Sequence, residues 1–232
     1  MDQSLPNCIV SVASIQGARE TYEDRIDVRA RVNGHSPFLF CGIYDGHGGS
    51  EAADMAQSSM LYTLEKSENF LSSNHEKFME SIKDGFVTLD KKMRQHCSSW
   101  KAKGDYVLPS AGTTASTVIV SNGHAYIAHV GDSPVYLIKL VGKNDYEVVL
   151  ASVLHTPDHI PDHSMIQSNG GEIYTFDSTL VVKCKYSDNR KGRFLRMTRA
   201  LGDFWLKHPE MSNKVISAEP DVSCFNIAKE KI

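Results

Sequence analysis

The residues with the plainest chemical capacity are Asp45, Gly46 and His47, which follow the apolar run Phe38-Leu39-Phe40-Cys41-Gly42-Ile43-Tyr44 and precede Gly48-Gly49. A carboxylate fixed at the end of a rigid strand, with glycines that let other groups approach the backbone, suits a metal-bound reaction centre. The same stretch also reads as a buried strand and a Gly-rich turn, with Asp45 capping the helix that begins near Ser50. Taken alone, that plainer reading is the stronger. Two further places repeat the ambiguity. Arg19-Glu20-Thr21-Tyr22-Glu23-Asp24-Arg25 lies between two strand-like segments. It is either a solvated turn with weak surface ion pairs, or a site where Glu23 or Asp24 helps hold a cation and Arg19 an anion. Asp132, in Gly131-Asp132-Ser133, sits like Asp45 at the end of an apolar strand, although Gly-Asp-Ser is also ordinary turn chemistry. Between Leu180 and Arg199 the chain carries Lys183, Lys185, Arg190, Lys191, Arg193, Arg196 and Arg199 against the single acid Asp188. That cluster is a solvated loop or charged edge strand, or a rim that attracts a phosphorylated or acidic substrate.

The elements that must position these residues follow from periodicity. Ile9–Ile15 and Ile26–Val32 alternate as strands, and Asn33-Gly34 is a hairpin signal joining the second of them to the run 38–44. Ser50 to about Leu64 reads as a helix with one face on a core. Ser73 and Glu76 form a capping box for a second helix, in which Phe78, Ile82, Phe86, Leu89 and Met93 recur at helical spacing to about Cys97. Strands are then expected at 113–120, 125–130, 135–140 and 146–153, with Asn122-Gly123 as another turn, so that the four make an antiparallel meander. A short helix over 158–169 and a strand near Glu219-Pro220-Asp221 complete an α+β chain of packed antiparallel sheets with helices outside.

The chain has 232 residues, 41% hydrophobic and 23% charged, with a net charge of −3. This suits one soluble domain, residues 1–232, and gives no bulk attraction to nucleic acid or anionic membrane. The five cysteines (Cys8, Cys41, Cys97, Cys184, Cys224) are odd in number and lack any Cys-x-x-Cys spacing, which suits a reducing compartment. With no signal-peptide pattern and no apolar run of membrane-spanning length, a cytoplasmic or nuclear location is expected.

In order along the chain stand Gln16-Gly17-Ala18-Arg19 with Glu23-Asp24, Tyr44-Asp45-Gly46-His47-Gly48-Gly49, Ala111-Gly112-Thr113-Thr114-Ala115, Gly131-Asp132-Ser133, Asp158-His159, Gly170-Gly171, Thr198-Arg199-Ala200-Leu201-Gly202-Asp203 and Glu219-Pro220-Asp221. Together they resemble the type 2C, metal-dependent serine/threonine protein phosphatases. Within that family, Ala128–Ser133, the Gly-Thr-Thr variant and the basic insertion before Arg199 look most like the stress-induced, DNA-damage-responsive branch. The resemblance implies an αββα four-layer sandwich and a two-ion centre of Mg²⁺ or Mn²⁺, whose hard oxygen ligands suit such cations. It implies hydrolysis of phosphoserine and phosphothreonine by an activated water. By matching, Asp45 bridges the ions, Gly46 ligates through its carbonyl, Glu23 with Asp24 holds water on a metal, and Asp132 serves a weaker third position. His47 is then the general acid and Arg19 the phosphate fork. Lys183, Lys185, Arg190, Lys191 and Arg193 contact phosphorylated protein substrates, Asp203 and Asp221 are structural, and the protein acts as a monomer.

Two departures bear on that expectation. Family members continue past a segment like 226–232 into two further acidic metal-ligand motifs that are not among these residues. The 232 residues alone are therefore expected to be incomplete at the C-terminus, with little or no phosphatase activity and an uncovered sheet edge that leaves them unstable or aggregation-prone. The alternative is a non-catalytic module that binds phosphoproteins. Pro134 also stands where the family usually has arginine.

Overall fold

The computed structural model describes residues 8–31, 37–100, 109–184, 193–207 and 214–228. Its frame is a fully antiparallel five-stranded sheet made of β1 (Arg25–Arg31), β2 (Phe38–Tyr44), β5 (Ala115–Ser121), β6 (His124–Val130) and β12 (Asp221–Asn226), in the order β1-β2-β5-β6-β12. β1 and β2 pair from Arg25 opposite Tyr44 to Arg31 opposite Phe38, as a hairpin requires, while Asn33-Gly34 lies outside the described residues. The Asn122-Gly123 turn between β5 and β6 has φ of +49° and +73°, the left-handed pair that matches the twist of a tight hairpin.

Because side chains alternate along a strand, Phe38, Phe40 and Tyr44 of β2 share one face. Two helices cover that face, α1 (Glu51–Glu65) and α2 (His75–His96). Phe78, Ile82, Phe86, Leu89 and Met93 of α2 are all fully buried against α1 and the sheet, as their spacing predicts. The helix is capped by Asn74, whose side chain accepts from the Lys77 N–H at 3.0 Å, one residue later than the expected capping box. Ser50 precedes α1 but makes no side-chain cap, and its hydroxyl goes to Asp54 instead.

Three expectations are corrected. Ile9–Ile15 forms no strand, and Ile9 and Ile15 are 96% and 87% exposed. Alternation makes a segment fit for a sheet but supplies no partner, and none of the described strands pairs with it. The four strands after residue 113 do not form one meander. β5–β6 joins the main sheet, while β7 (Tyr136–Leu140) and β8 (Tyr146–Leu150) pair only with each other. On that hairpin Tyr136 faces Leu150, Ile138 faces Val148 and Leu140 faces Tyr146, all six exposed. The helix expected over 158–169 is a 3-10 turn at Ile160–Asp162 followed by α3 (His163–Ser168).

A second, smaller core gathers Ile166 of α3, Val182, Leu195, Met197, Trp205, Leu206, Val215 and Ile216 around the hairpin of β9 (Gly171–Phe176) and β10 (Thr179–Cys184). The fold is mixed α+β on antiparallel sheets. Among the described residues no helix is long and apolar enough to cross a membrane.

Candidate active site

The chain leaves β2 at Tyr44 and immediately enters a second, miniature sheet. β3 (Gly46–His47) pairs with β4 (Gly112–Thr113), and β4 pairs with β11 (Leu201–Gly202). Each strand is two residues long, yet together they clamp three distant motifs side by side. Thr114, fully buried, extends the clamp. Its hydroxyl accepts from the Asp45 N–H at 3.1 Å, its own N–H donates to the Asp45 carbonyl at 3.0 Å, and Ser133 Oγ lies 3.0 Å from its Oγ1. Thr114 thus couples the Asp45 turn to the turn that carries Asp132.

The acids at this junction are strained electrostatically. Asp45 opens to solvent at the end of β2, but the protein packed around its base withholds water, and Asp24 and Asp132 add like charge. These causes, in that order, raise its pKa above the usual carboxylate range. Glu23 turns the other way. Its Oε2 accepts from the Gly49 N–H at 3.2 Å and its Oε1 from Thr21 at 3.2 Å, so it ties the acidic N-terminal segment to the glycine turn. Gly46 is glycine because other groups approach its backbone closely, as the sequence suggested. A Cβ there would be driven into the Glu23 carbonyl oxygen and would meet the Ala53 methyl at 3.1 Å, so a bare Cα is what lets the two segments touch. The oxygen donors suit Mg²⁺ or Mn²⁺ in kind. In number they fall short: no three Asp, Glu, His or Cys side chains among the described residues are gathered closely enough to hold an ion.

His47 faces a different partner. Its Nε2 lies 2.7 Å from Oδ2 of Asp203, a carboxylate with no exposed surface. Burial disfavours the imidazolium, but the charge and hydrogen bond of Asp203, with Asp45 and Asp132 beyond, outweigh it and raise the His47 pKa. A Cβ on Gly112 would sit on this hydrogen bond, clashing with both Oδ2 and Nε2. Asp203, taken from sequence as structural, therefore touches the residue expected to move the proton. The Gly-Asp pair marked its place, but nothing local marked its partner.

Behind Asp132 lies a buried histidine pair that the sequence reading missed. His129 and His155 stack at 5.3 Å. The Gly131 N–H donates to His155 Nδ1 at 3.2 Å, and the Gly131 carbonyl accepts from the His155 N–H at 2.9 Å and from His129 Nε2 at 2.8 Å. His155 Nε2 then reaches Asp221 Oδ2 at 3.0 Å. Burial and the neighbouring His155 push His129 down to about 4, and burial also lowers His155. Asp221, bonded to His155 and near Arg199, falls to about 2. Arg199 grips Asp162 at 2.9 Å and Asp221 at 3.2 Å, so this member of the basic cluster is a strut. His159, expected to carry a motif role, stands 3.3 Å from Asp162, and Asp158 is exposed.

The protein phosphatase 2C family model matches residues 9–231. The chain belongs to this family. Among its relatives are probable protein phosphatase 2C 2 of Paramecium tetraurelia, 30% identical over 92% of this chain and 66% of the relative, and probable protein phosphatase 2C 56 of Oryza sativa subsp. japonica, 31% identical over 90% and 51%. The chain thus spans from half to just under two thirds of the length of these relatives. Among solved structures, the serine-threonine phosphatase 2C of Toxoplasma gondii superposes with a TM-score of 0.76 over 92% of this chain and 72% of that one, at 20% identity. A Caenorhabditis elegans sex-determining protein superposes at 0.65, over 93% and 47%, at 24% identity.

In this phosphatase 2C chain the expected substrate residues are placed unevenly. Arg19 is exposed, and its guanidinium has no hydrogen-bond or ion-pair partner among the described residues. Lys183 pairs with Glu172 at 3.1 Å and lies over the Tyr174 ring, while Arg193 lies over Trp205. Lys185, Arg190 and Lys191 fall outside the described residues.

Proposed function

We propose that this chain carries the phosphate-hydrolysing centre of a protein serine/threonine phosphatase. The observation that supports it most is the gathering of Asp24 and Asp132 beside Asp45, whose pKa is raised first by burial and then by these two like charges. In this reading Asp45, Asp132, Asp24, Glu23 and the Gly46 carbonyl would supply part of the oxygen ligands for Mg²⁺ or Mn²⁺, a set that the described residues alone do not complete. When bound, such ions lower the pKa of water and screen phosphoryl charge. The chain's own residues do the rest. Thr114 fixes the Asp45 backbone, Arg19 offers a planar fork to phosphate oxygens, and His47 supplies a proton to the departing seryl or threonyl oxygen. Phosphorylated proteins are the proposed substrates, acted on by a monomer, with the basic stretch that includes Lys183 and Arg193 as their approach. That stretch also supports placement in the stress-responsive branch.

A second reading, a module that binds phosphoproteins without hydrolysing them, is favoured by the small number of gathered donors. A phosphoserine peptide incubated with residues 1–232 and Mn²⁺ separates the two. The first reading expects slow phosphate release, abolished by EDTA and by Asp45→Asn. Peptide binding with no release would replace it with the second, and release that survives Asp45→Asn would overturn the assignment of Asp45.

A further inference from the structure

Asp203 combines four features that packing alone does not require. It is fully buried, it adopts φ of +49° although it is not glycine, both its carboxylate oxygens are engaged, and a glycine opposite keeps its path to His47 clear. A left-handed conformation in a non-glycine residue costs energy and persists only where surroundings over-determine it. Here they do. The Asp203 N–H donates to the Ala111 carbonyl at 3.0 Å, and the preceding Gly202 N–H is held by Asp90 Oδ1 at 2.9 Å. Asp90 is itself locked by the fully buried Lys207, 2.8 Å away, whose Nζ also donates to the Ala200 carbonyl at 2.7 Å. One carboxylate oxygen, Oδ1, accepts from the Trp205 indole N–H at 3.1 Å, which aims the other, Oδ2, at His47.

We propose that Asp203 is the positioning residue for His47, holding its Nε2–H so that Nδ1 is the nitrogen that exchanges a proton with substrate. The reasoning is one of donor and acceptor counting. A carboxylate can only accept, so with Asp203 in that form the proton between Oδ2 and Nε2 rides on the ring. A histidine whose one nitrogen is held as a donor has its tautomer set, and its other nitrogen does the chemistry. Nδ1 has no hydrogen-bond partner among the described residues, and the ring is partly open to solvent. In the hydrolysis, water oxygen forms the new bond to phosphorus, giving one proton to solvent and keeping the other, as the bond from phosphorus to the seryl oxygen breaks and that oxygen leaves with the electron pair. That oxygen takes the Nδ1 proton, leaving His47 neutral with its remaining proton on Nε2 against Asp203. Solvent then returns a proton to Nδ1. The last part rests on the function proposed above, whereas the tautomer does not.

The test uses Asp203→Asn and histidine ring nitrogen NMR on ¹⁵N-labelled protein without metal. The indole N–H of Trp205 demands an acceptor, so the new carboxamide must turn its oxygen to Trp205 and its NH₂ to His47. Nε2 then becomes the acceptor, and the neutral ring carries its proton on Nδ1. Wild type is expected to show Nε2–H, and Asp203→Asn to reverse the tautomer. Adding Trp205→Phe frees the amide to flip and returns part of the Nε2–H signal, a response that a general loss of packing would not produce. A wild-type ring protonated on Nδ1, or one indifferent to Asp203→Asn, overturns the proposal. If Asp203→Asn fails to fold, Gly112→Ala decides instead, since its methyl falls between Oδ2 and Nε2 and the wild-type Nε2–H preference must weaken in it. With turnover, Asp203→Asn is expected to cut phosphoserine hydrolysis at least tenfold at little change in KM. It should spare p-nitrophenyl phosphate, whose leaving group needs no proton. Absent turnover with the tautomer reversal intact would sink the hydrolase reading and leave the Asp203–His47 assignment standing.

Discussion

His47 with Asp203 and His155 with Asp221 are both histidine–carboxylate pairs, at 2.7 and 3.0 Å, yet their histidines shift in opposite directions. Both rings are desolvated, which disfavours charge. What differs is the second neighbour. Around His47 the further charges are Asp45 and Asp132, which favour a proton, whereas around His155 the strongest further charge is Arg199, which repels one and outweighs the weaker pull of Asp162. A histidine beside an acid is therefore a proton carrier or a fixed hydrogen-bonding wedge according to what stands one residue further out. In this chain the histidine that favours its proton lies at the solvent-facing junction, and the one that disfavours it lies behind, pinning the turn of Asp132.

Removing the repelling charge is the harshest way to break the contrast. Arg199→Met leaves Asp162, 4% exposed, without its cation. Unfolding in urea should show a loss of about 3–5 kcal/mol, and NMR should show the His155 pKa rising. Next comes Gly112→Ala, whose methyl separates His47 from Asp203. It should cost about 1–3 kcal/mol and shift the His47 ring signals while leaving those of His155 in place. The pH dependence of stability should then carry both pairs with opposite slopes. His129 and His155 are lowered in the fold, so their stabilisation is complete above the ordinary value of 6.5 and drains away as pH falls towards about 4 for His129. His47 is raised, so its contribution is full below 6.5 and lost as pH climbs through its folded value. Thermal melts across pH should show His129→Gln flattening the acid side only and Asp203→Asn the other side only. The smallest effect is expected at Lys183→Ala. Its exposed bond to Glu172 should be worth no more than about 1 kcal/mol, with neither histidine pair disturbed.

Two apolar surfaces show how far pattern carries. The stripe Phe78, Ile82, Phe86, Leu89 and Met93 and the alternation Tyr136, Ile138, Leu140 are equally regular, and the first is buried while the second is exposed. Periodicity states which residues share a face. It does not state what covers that face, because cover comes from elements distant in sequence. The same limit explains Ile9–Ile15, a strand pattern without a strand partner, and the missed capping by Asn74, one residue from an equally suitable Ser73.

What the sequence determined by itself is local or serial. The α2 stripe, the Asn122-Gly123 turn and the β1–β2 hairpin follow from spacing, and the order of short motifs sufficed to suggest the family. Asp45 and Asp132 were legible as site candidates because acids beside glycines at strand ends are conspicuous, whereas His47 and Glu23 gained their roles from the resemblance carried by the ordered motifs. Only the tertiary structure decided their partners. Asp203 lies 156 residues from His47, and the bond between them passes through the space a side chain on Gly112 would fill. His155 is 24 residues from the Gly131 N–H it holds. Three strands of two residues each bring His47, Gly112 and Asp203 together, and pairs that short leave almost no periodic trace, since their energy comes from the neighbours they meet and not from their own composition.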